Sequence, residues 1–275
     1  MTKIIAEIGI NHNGSIEECK KMILLAKVAG CEYVKIQKRN PDVCVPEHQK
    51  TKRRQTPWGE MSYLEYKYKI EFNEEQIKEL VEYSNFIGIE FFASVWDLDS
   101  VKLMAKYTKI AKLGSASIND LELCRATREA FEFVIISTGM SNEEEIEAAV
   151  EASKPNVIMH TNSTYPCPVE DLNLRYIEYL KKKWGSQAEI GYSGHEYGLV
   201  TTYSAVTLGA TWVERHITMD RDLWGSDHKS SIEPDGLVKL VKGIRNIEKA
   251  MQYEPGPRKQ FEGENAKKDS LRVKK

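Results

Sequence analysis

Short apolar runs alternate along the chain with longer amphipathic stretches. Runs at 4–8, 33–37, 90–95, 109–113, 133–138, 157–161, 189–192 and 212–217 are rich in β-branched and aromatic residues, as strands covered on both faces of a parallel sheet must be. The stretches between them carry apolar residues at helical spacing and predict helices at 73–87, 97–106, 119–130, 171–183, 198–208 and 234–251. Ser15 with Glu18, and Ser141 with Glu144, each form a Ser-x-x-Glu sequence. In that pattern a hydroxyl caps the first turn and a carboxylate reaches back. Two further helices are therefore expected, ending near residues 30 and 153.

Eight strand–helix units predict an α/β fold, a closed (β/α)8 TIM barrel. A doubly wound open sheet accounts less well for eight units, and no Gly-x-Gly-x-x-Gly follows the first strand. One barrel domain is expected over 1–254. Residues 38–70 fall outside the repeat and predict a long loop after the second strand, with Lys50, Lys52, Arg53 and Arg54. Such a loop is either functional, oligomer-forming or a solvated insertion. Residues 255–275 contain Pro255, Pro257 and many charges, and predict an extended tail.

Composition sharpens the class. Hydrophobic residues make up 41% of 275, enough for a full core. The formal net charge of −2 excludes a general nucleic-acid binder. No apolar run reaches eighteen residues, so no membrane partner is expected. The N-terminus enters a strand directly without the profile of a signal peptide, which predicts a cytoplasmic protein. The five cysteines are odd in number and lack a Cys-x-x-Cys pair, which fits reduced thiols better than disulfides or structural zinc.

In a barrel, chemistry gathers where strands end. Glu7 lies on the first predicted strand, Lys35 and Gln37 on the second, and Ser94 near the end of the third. Lys112 and Ser115 mark the fourth and Ser137 the fifth. His160, Ser163 and Tyr165 follow the sixth, Ser193 and His195 the seventh, and Glu214 and His216 the eighth. Five of the six histidines, His12, His160, His195, His216 and His228, fall on or just beyond these ends.

A strand lysine is costly to bury without an anion. Glu7 is expected to serve one lysine. Two lysines against one carboxylate point to a bound anion, with a plain ion pair as the structural alternative. The Gly-Ser and Ser-Thr-Gly turns at 114–115 and 137–139 suit phosphate, or simple helix capping. His195 and His216, on adjacent strands, suit a divalent transition ion, or are hydrogen-bonded core histidines. Glu214 is either a further ligand or a partner that orients them.

The segments IAEIGINHNG (5–14), VKIQ (34–37), KLGS (112–115), ISTGM (136–140), YPCP (165–168), GYSGH (191–195), ERH (214–216) and GSDHK (225–229) resemble the N-acetylneuraminate (sialic acid) synthase family. The resemblance runs in order from residue 4 to about 251. It implies condensation of phosphoenolpyruvate with an N-acylhexosamine such as N-acetylmannosamine, a divalent ion of the manganese kind, and a homodimer. It places Glu7, Lys35, Lys112 and Tyr165 among catalytic positions. Lys35, Lys112, Ser115, Ser137, Ser163 and Ser193 fall on phosphoenolpyruvate positions. Gln37, Tyr165, Asp227 and His228 fall on sugar positions, and His195 and His216 on metal positions.

Several residues depart from the family pattern. Gly194 stands where an aspartate is usual, Ser94-Val95-Trp96 where Ser-Thr-Pro is common, and Ser117 where an acidic residue is common. These three are expected at the sugar. Thr161-Asn162 replaces Cys-Thr on the sixth strand. The sequence ends where the family's linker to a small antifreeze-like domain would start, which implies a separate chain supplying that contact or a different hold on the acceptor. Arg39, Arg53 and Arg54 keep open a relative acting on a phosphorylated aldose, of the 3-deoxy-octulosonate 8-phosphate synthase kind. A non-catalytic sugar- or partner-binding barrel is the other alternative.

Overall fold

The structure, a computed structural model, describes residues 1–273. Its strands are β1 (Lys3–Gly9), β2 (Tyr33–Lys38), β3 (Arg53–Thr56), β4 (Gly59–Ser62), β5 (Glu90–Val95), β6 (Ile110–Leu113), β7 (Phe133–Ser137), β8 (Val157–His160), β9 (Glu189–Gly194) and β10 (Trp212–His216). All except β3 and β4 pair in parallel and close a barrel in the order β1-β10-β9-β8-β7-β6-β5-β2, with β2 returning to β1. Helices Ile16–Ala29, Glu74–Ile87, Leu98–Met104, Leu121–Ala130, Glu143–Ser153, Tyr176–Trp184, Val200–Thr207 and Pro234–Ala250 follow the eight barrel strands in turn. The predicted (β/α)8 barrel is thus the observed architecture.

Strand side chains alternate between the barrel interior and the helices. Outward residues such as Ile4, Ala6, Val34, Ile36, Val134, Ile136 and Val213 join one cluster with the helix faces. Inward, Ile5, Phe92, Ile135, Val157, Met159 and Trp212 form a separate buried plug. Two residues further along several of the same strands the inward positions become Glu7, Ser94, Ser137 and Glu214. The plug is therefore the floor on which the polar rim stands.

The boundaries depart from the sequence expectation where local chemistry differs. The cap of helix Glu143–Ser153 is Asn142, whose side chain accepts from Glu145 N–H while Glu145 reaches back. The capping box is thus one residue later than Ser141. A short 3-10 turn, Val169–Asp171, ends where the helix was expected to begin, and the helix starts only at Tyr176.

Residues 38–70 are not a simple loop. They contain two one-turn helices (Pro41–Cys44 and Glu47–Lys50), the β3–β4 hairpin and helix Tyr63–Ile70. The hairpin strands are largely exposed, so no apolar alternation announces them. The tail likewise carries an exposed helix, Glu262–Leu271, in place of a fully extended run. Among the described residues no helix is long and apolar enough to cross a membrane.

Phe92→Ala tests the plug. Truncating a fully buried Phe leaves a cavity and costs about 3–5 kcal/mol, to be read as a lower urea midpoint at unchanged m-value. A loss under about 1 kcal/mol would mean the floor is not close-packed.

Candidate functional site

The C-terminal ends of the barrel strands surround a cavity of about 230 Å³. Glu7, Lys35, Gln37, Ser94, Lys112, Ser115, Ser137, Ser163, Tyr165, Ser193, His195, Glu214 and His216 line it, with Trp96, Met140 and Thr161. Strand register sets much of this. Glu7 is opposite Lys35 on one side and His216 on the other, and Ser193 is opposite Glu214.

Four buried charges make its floor. Lys35 Nζ is 2.6 Å from Glu7 Oε2 and donates to Ser94 Oγ at 2.8 Å. Lys112 Nζ is 2.6 Å from Glu214 Oε1, which also lies 3.8 Å from Lys35 Nζ and accepts from Ser193 Oγ at 3.2 Å. This corrects the expectation from sequence: two carboxylates match the two lysines, so charge counting alone does not demand a bound anion. Glu214 Oε1 serves the lysines, and among the described residues its Oε2 has no hydrogen-bond partner.

Burial alone would raise the Glu214 pKa. The Lys112 ammonium and then Lys35 outweigh it and hold the group down at about 2. Lys112 itself is pushed below the usual lysine range by burial, against the pull of Glu214.

The hydroxyls cluster around Gly139. A Cβ there would run into Ser163 Oγ, and would come within 2.8 Å of Ser115 Oγ and 3.0 Å of Thr161 Cγ2. Only glycine lets the backbone approach so closely, and Gly139 N–H donates to Ser115 Oγ at 3.1 Å. Ser137 Oγ is buried with no hydrogen-bond partner. The result is a pocket wall with hydroxyl groups facing two ammonium groups.

Beside this wall the His195 and His216 rings are 5.5 Å apart between centroids, and Tyr165 packs on His195 at 4.0 Å. His195 Nδ1 is 2.7 Å from the Asn162 carbonyl; that bond fixes the Nδ1–H tautomer and leaves Nε2 with its lone pair. Burial, then the neighbouring His216, lowers the His195 pKa to about 3, so the ring is neutral at pH 7. His216 Nδ1 is buried without a hydrogen bond, 3.9 Å from Asp227 Oδ2. Two converging imidazoles, one of them held neutral, fit a divalent ion that keeps open positions. Among the described residues no set of three or more His, Cys, Asp or Glu forms a closed metal cage.

Other sequence candidates lie elsewhere. His228 is fully buried, with Nδ1 2.7 Å from Thr218 Oγ1; it braces its loop and does not line the cavity. Asp227 stands at the edge, beside His216. His12 stacks on Phe72, and its Nδ1 accepts from Gly14 N–H. His160 Nε2 bonds the Leu172 carbonyl.

Gly194 faces outward, since a Cβ there would meet Glu196 Oε2 at 2.5 Å and Tyr192 Cε1 at 2.8 Å. Ser117 is buried away from the cavity lining. Of the three departures expected at the sugar, Ser94-Val95-Trp96 is the one that reaches the pocket, through Ser94 and Trp96. Each of the three arginines has a partner outside the cavity lining or at its edge, and Arg39 also donates to Gln37. Arg39 pairs with Glu71 and lies over Trp96, Arg53 pairs with Glu60, and Arg54 covers Tyr63.

Trp96 reaches the pocket as expected, while Met140 and Thr161 line it without having been expected there; neither side chain is ionisable, and only the position of Thr161 at a strand end signalled it.

Known proteins similar to this chain are named as synthases. The chain is 34% identical over 264 residues to the N,N'-diacetyllegionaminic acid synthase of Campylobacter jejuni, covering 91% of this chain and 77% of that protein. It is 36% identical over 255 residues to the N-acetylneuraminate-9-phosphate synthase of Mus musculus, covering 90% and 70%. The crystal structure of N-acetylneuraminic acid (sialic acid) synthetase from Leptospira borgpetersenii, in complex with citrate, superposes with a TM-score of 0.86 at 31% identity, covering 99% and 93%. A truncated 3-deoxy-D-arabino-heptulosonate 7-phosphate synthase from Thermotoga maritima shares the fold, with a TM-score of 0.69 at 15% identity. The fold is that of a barrel synthase. The chain belongs to the NeuB family, whose profile matches residues 22–255.

The buried charge row gives a pH test. A carboxylate whose folded pKa is depressed contributes stability that is complete above its unfolded pKa, about 4.3. That stability is lost as pH falls toward the folded value of about 2. Wild type is therefore expected to lose stability more steeply than Glu214→Gln between about pH 4.5 and 2, measured by urea midpoints across that range. Parallel slopes would contradict the Lys112–Glu214 pairing.

Proposed function

We propose that the chain condenses phosphoenolpyruvate with the aldehyde of an N-acylhexosamine, of the N-acetylmannosamine class, to give a nonulosonic acid and phosphate. The observation that carries this reading is the juxtaposition in one cavity of two lysines, a hydroxyl wall and two facing imidazoles. The printed names of the relatives, synthases of legionaminic acid and of N-acetylneuraminate 9-phosphate, support the product class.

Each ammonium group has three donors. Lys112 uses one on Glu214, and its remaining donors address a dianionic donor substrate. The hydroxyls of Ser115, Ser137, Ser163 and Ser193 supply neutral hydrogen bonds around it. Gln37, Tyr165 and Asp227 hold the acceptor.

His195 and His216 would hold a divalent ion, Mn²⁺ in this proposal, which when bound supplies Lewis-acid polarisation of the aldehyde oxygen. The ordered groups set the donor's C3 against the aldehyde carbon, and a C–C bond forms. The Glu7 carboxylate stabilises the positive charge that develops at C2, while the lysines hold the donor's anionic groups. Glu7, whose Oε1 faces Gln37 at 3.4 Å, accepts the proton of the water that adds at C2. That proton ends on the former aldehyde oxygen, now a hydroxyl; the bond from C2 to the phosphate oxygen then breaks as the C2 hydroxyl becomes the keto carbonyl, and its proton departs with phosphate. A cytoplasmic homodimer belongs to the same proposal.

The test is phosphate release, and formation of a 2-keto acid seen by mass spectrometry, with Mn²⁺, phosphoenolpyruvate and a panel of N-acylhexosamines. Lys112→Met is expected to lower kcat by about 10²–10³-fold. Gly139→Ala, which pushes Ser163 and Ser115 aside, is expected to raise KM for phosphoenolpyruvate while the fold persists. No phosphate from any N-acylhexosamine would overturn the proposal.

A further inference from the structure

We propose that the buried pair Glu196–Arg215 is a positioning clamp that sets the spacing of the His195 and His216 imidazoles. The proposal rests on the reading of those two histidines as ligands of a divalent ion.

The β9–β10 ladder pairs Trp212 with Gly191 and ends with Arg215 opposite Gly194. His195 and His216 are the next residue on each strand. The last register pair of this ladder therefore precedes both imidazoles, and the chain after Gly194 turns away into a loop. What ties the two strands together behind the rings is the outward-facing layer. Arg215 donates to the Glu196 carbonyl at 2.6 Å, the Gly198 carbonyl at 2.9 Å and Thr202 Oγ1 at 2.7 Å, and reaches Glu196 Oε1 at 3.2 Å.

Glu196 is also held from its own side. Its carboxylate accepts from Tyr192 Oη at 2.9 Å, Thr201 Oγ1 at 2.8 Å and Thr202 Oγ1 at 3.0 Å. The Arg215 side chain and Glu196 are both almost entirely out of solvent. Each member of the pair is one residue from a histidine, so a shift of the pair moves both rings. The space the Glu196 carboxylate occupies is the space a side chain at position 194 would need. Gly194, unusual for the family pattern, is thereby explained as a requirement of the clamp and not as a change in the sugar pocket.

The experiment titrates the full chain with Co²⁺, whose d–d absorption reports ligand geometry, and follows thermal unfolding in parallel. Wild type is compared with Glu196→Gln, Arg215→Lys and the milder isosteric Thr202→Val. Arg245→Lys serves as control, because Arg245 pairs with Glu32 at 2.5 Å in a partly buried bridge remote from the histidines. Clamp variants that still unfold cooperatively are expected to bind Co²⁺ about 10–100-fold more weakly, with shifted bands, while the control keeps wild-type affinity.

Unchanged Co²⁺ affinity and spectrum in folded Glu196→Gln or in Thr202→Val would overturn the clamp alone. Wild type that binds no Co²⁺, or binds it equally after His195→Ala, would overturn the ion reading and the clamp with it.

Discussion

The interior of this barrel holds four ionised groups, and their mutual neutralisation is the condition on which the upper half of the structure depends. A buried ammonium or carboxylate alone would cost several kcal/mol after relaxation. Glu7 with Lys35 and Lys112 with Glu214, each at 2.6 Å, offset that penalty, and Glu214 Oε1, 3.8 Å from Lys35 Nζ, joins the two pairs into a row of alternating charge. The row is possible because the plug of Phe92, Met159, Trp212 and their neighbours keeps water out from below. Several strands then deliver a polar residue just above this plug, Glu7, Ser94, Ser137 and Glu214 among them.

This arrangement separates the tasks of the site. The charge row is rigid and already balanced, so it can present unused lysine donors without a large reorganisation on binding. The serine wall around Gly139 adds hydrogen bonds without charge. The histidine side is braced independently, by the Asn162 carbonyl on His195 and by the Glu196–Arg215 layer behind both rings. The two halves meet at Glu7 and His216, which are opposite one another in the β1–β10 ladder.

Much of this was legible in the sequence, because strand periodicity locates both the barrel and its functional end. Lys35, Lys112, His195 and His216 all sit at predicted strand ends, and the structure brings them to one cavity. What escaped was contact across the barrel. Lys112 on β6 and Glu214 on β10 are 102 positions apart and on strands that are not neighbours, so only barrel closure pairs them. The direction of individual residues also escaped: His228 turns into its own loop, and Gly194, the last residue of the β9–β10 ladder, faces outward. The β3–β4 hairpin left no apolar signature, since its side chains are largely exposed.

The most direct measurement is a crystal structure of the chain soaked with phosphoenolpyruvate and Mn²⁺. The account predicts the donor's anionic groups against Lys35, Lys112 and the Ser115–Ser137–Ser163 wall, with manganese density between His195 and His216. Donor density outside this cavity, or manganese bound away from both imidazoles, would contradict it.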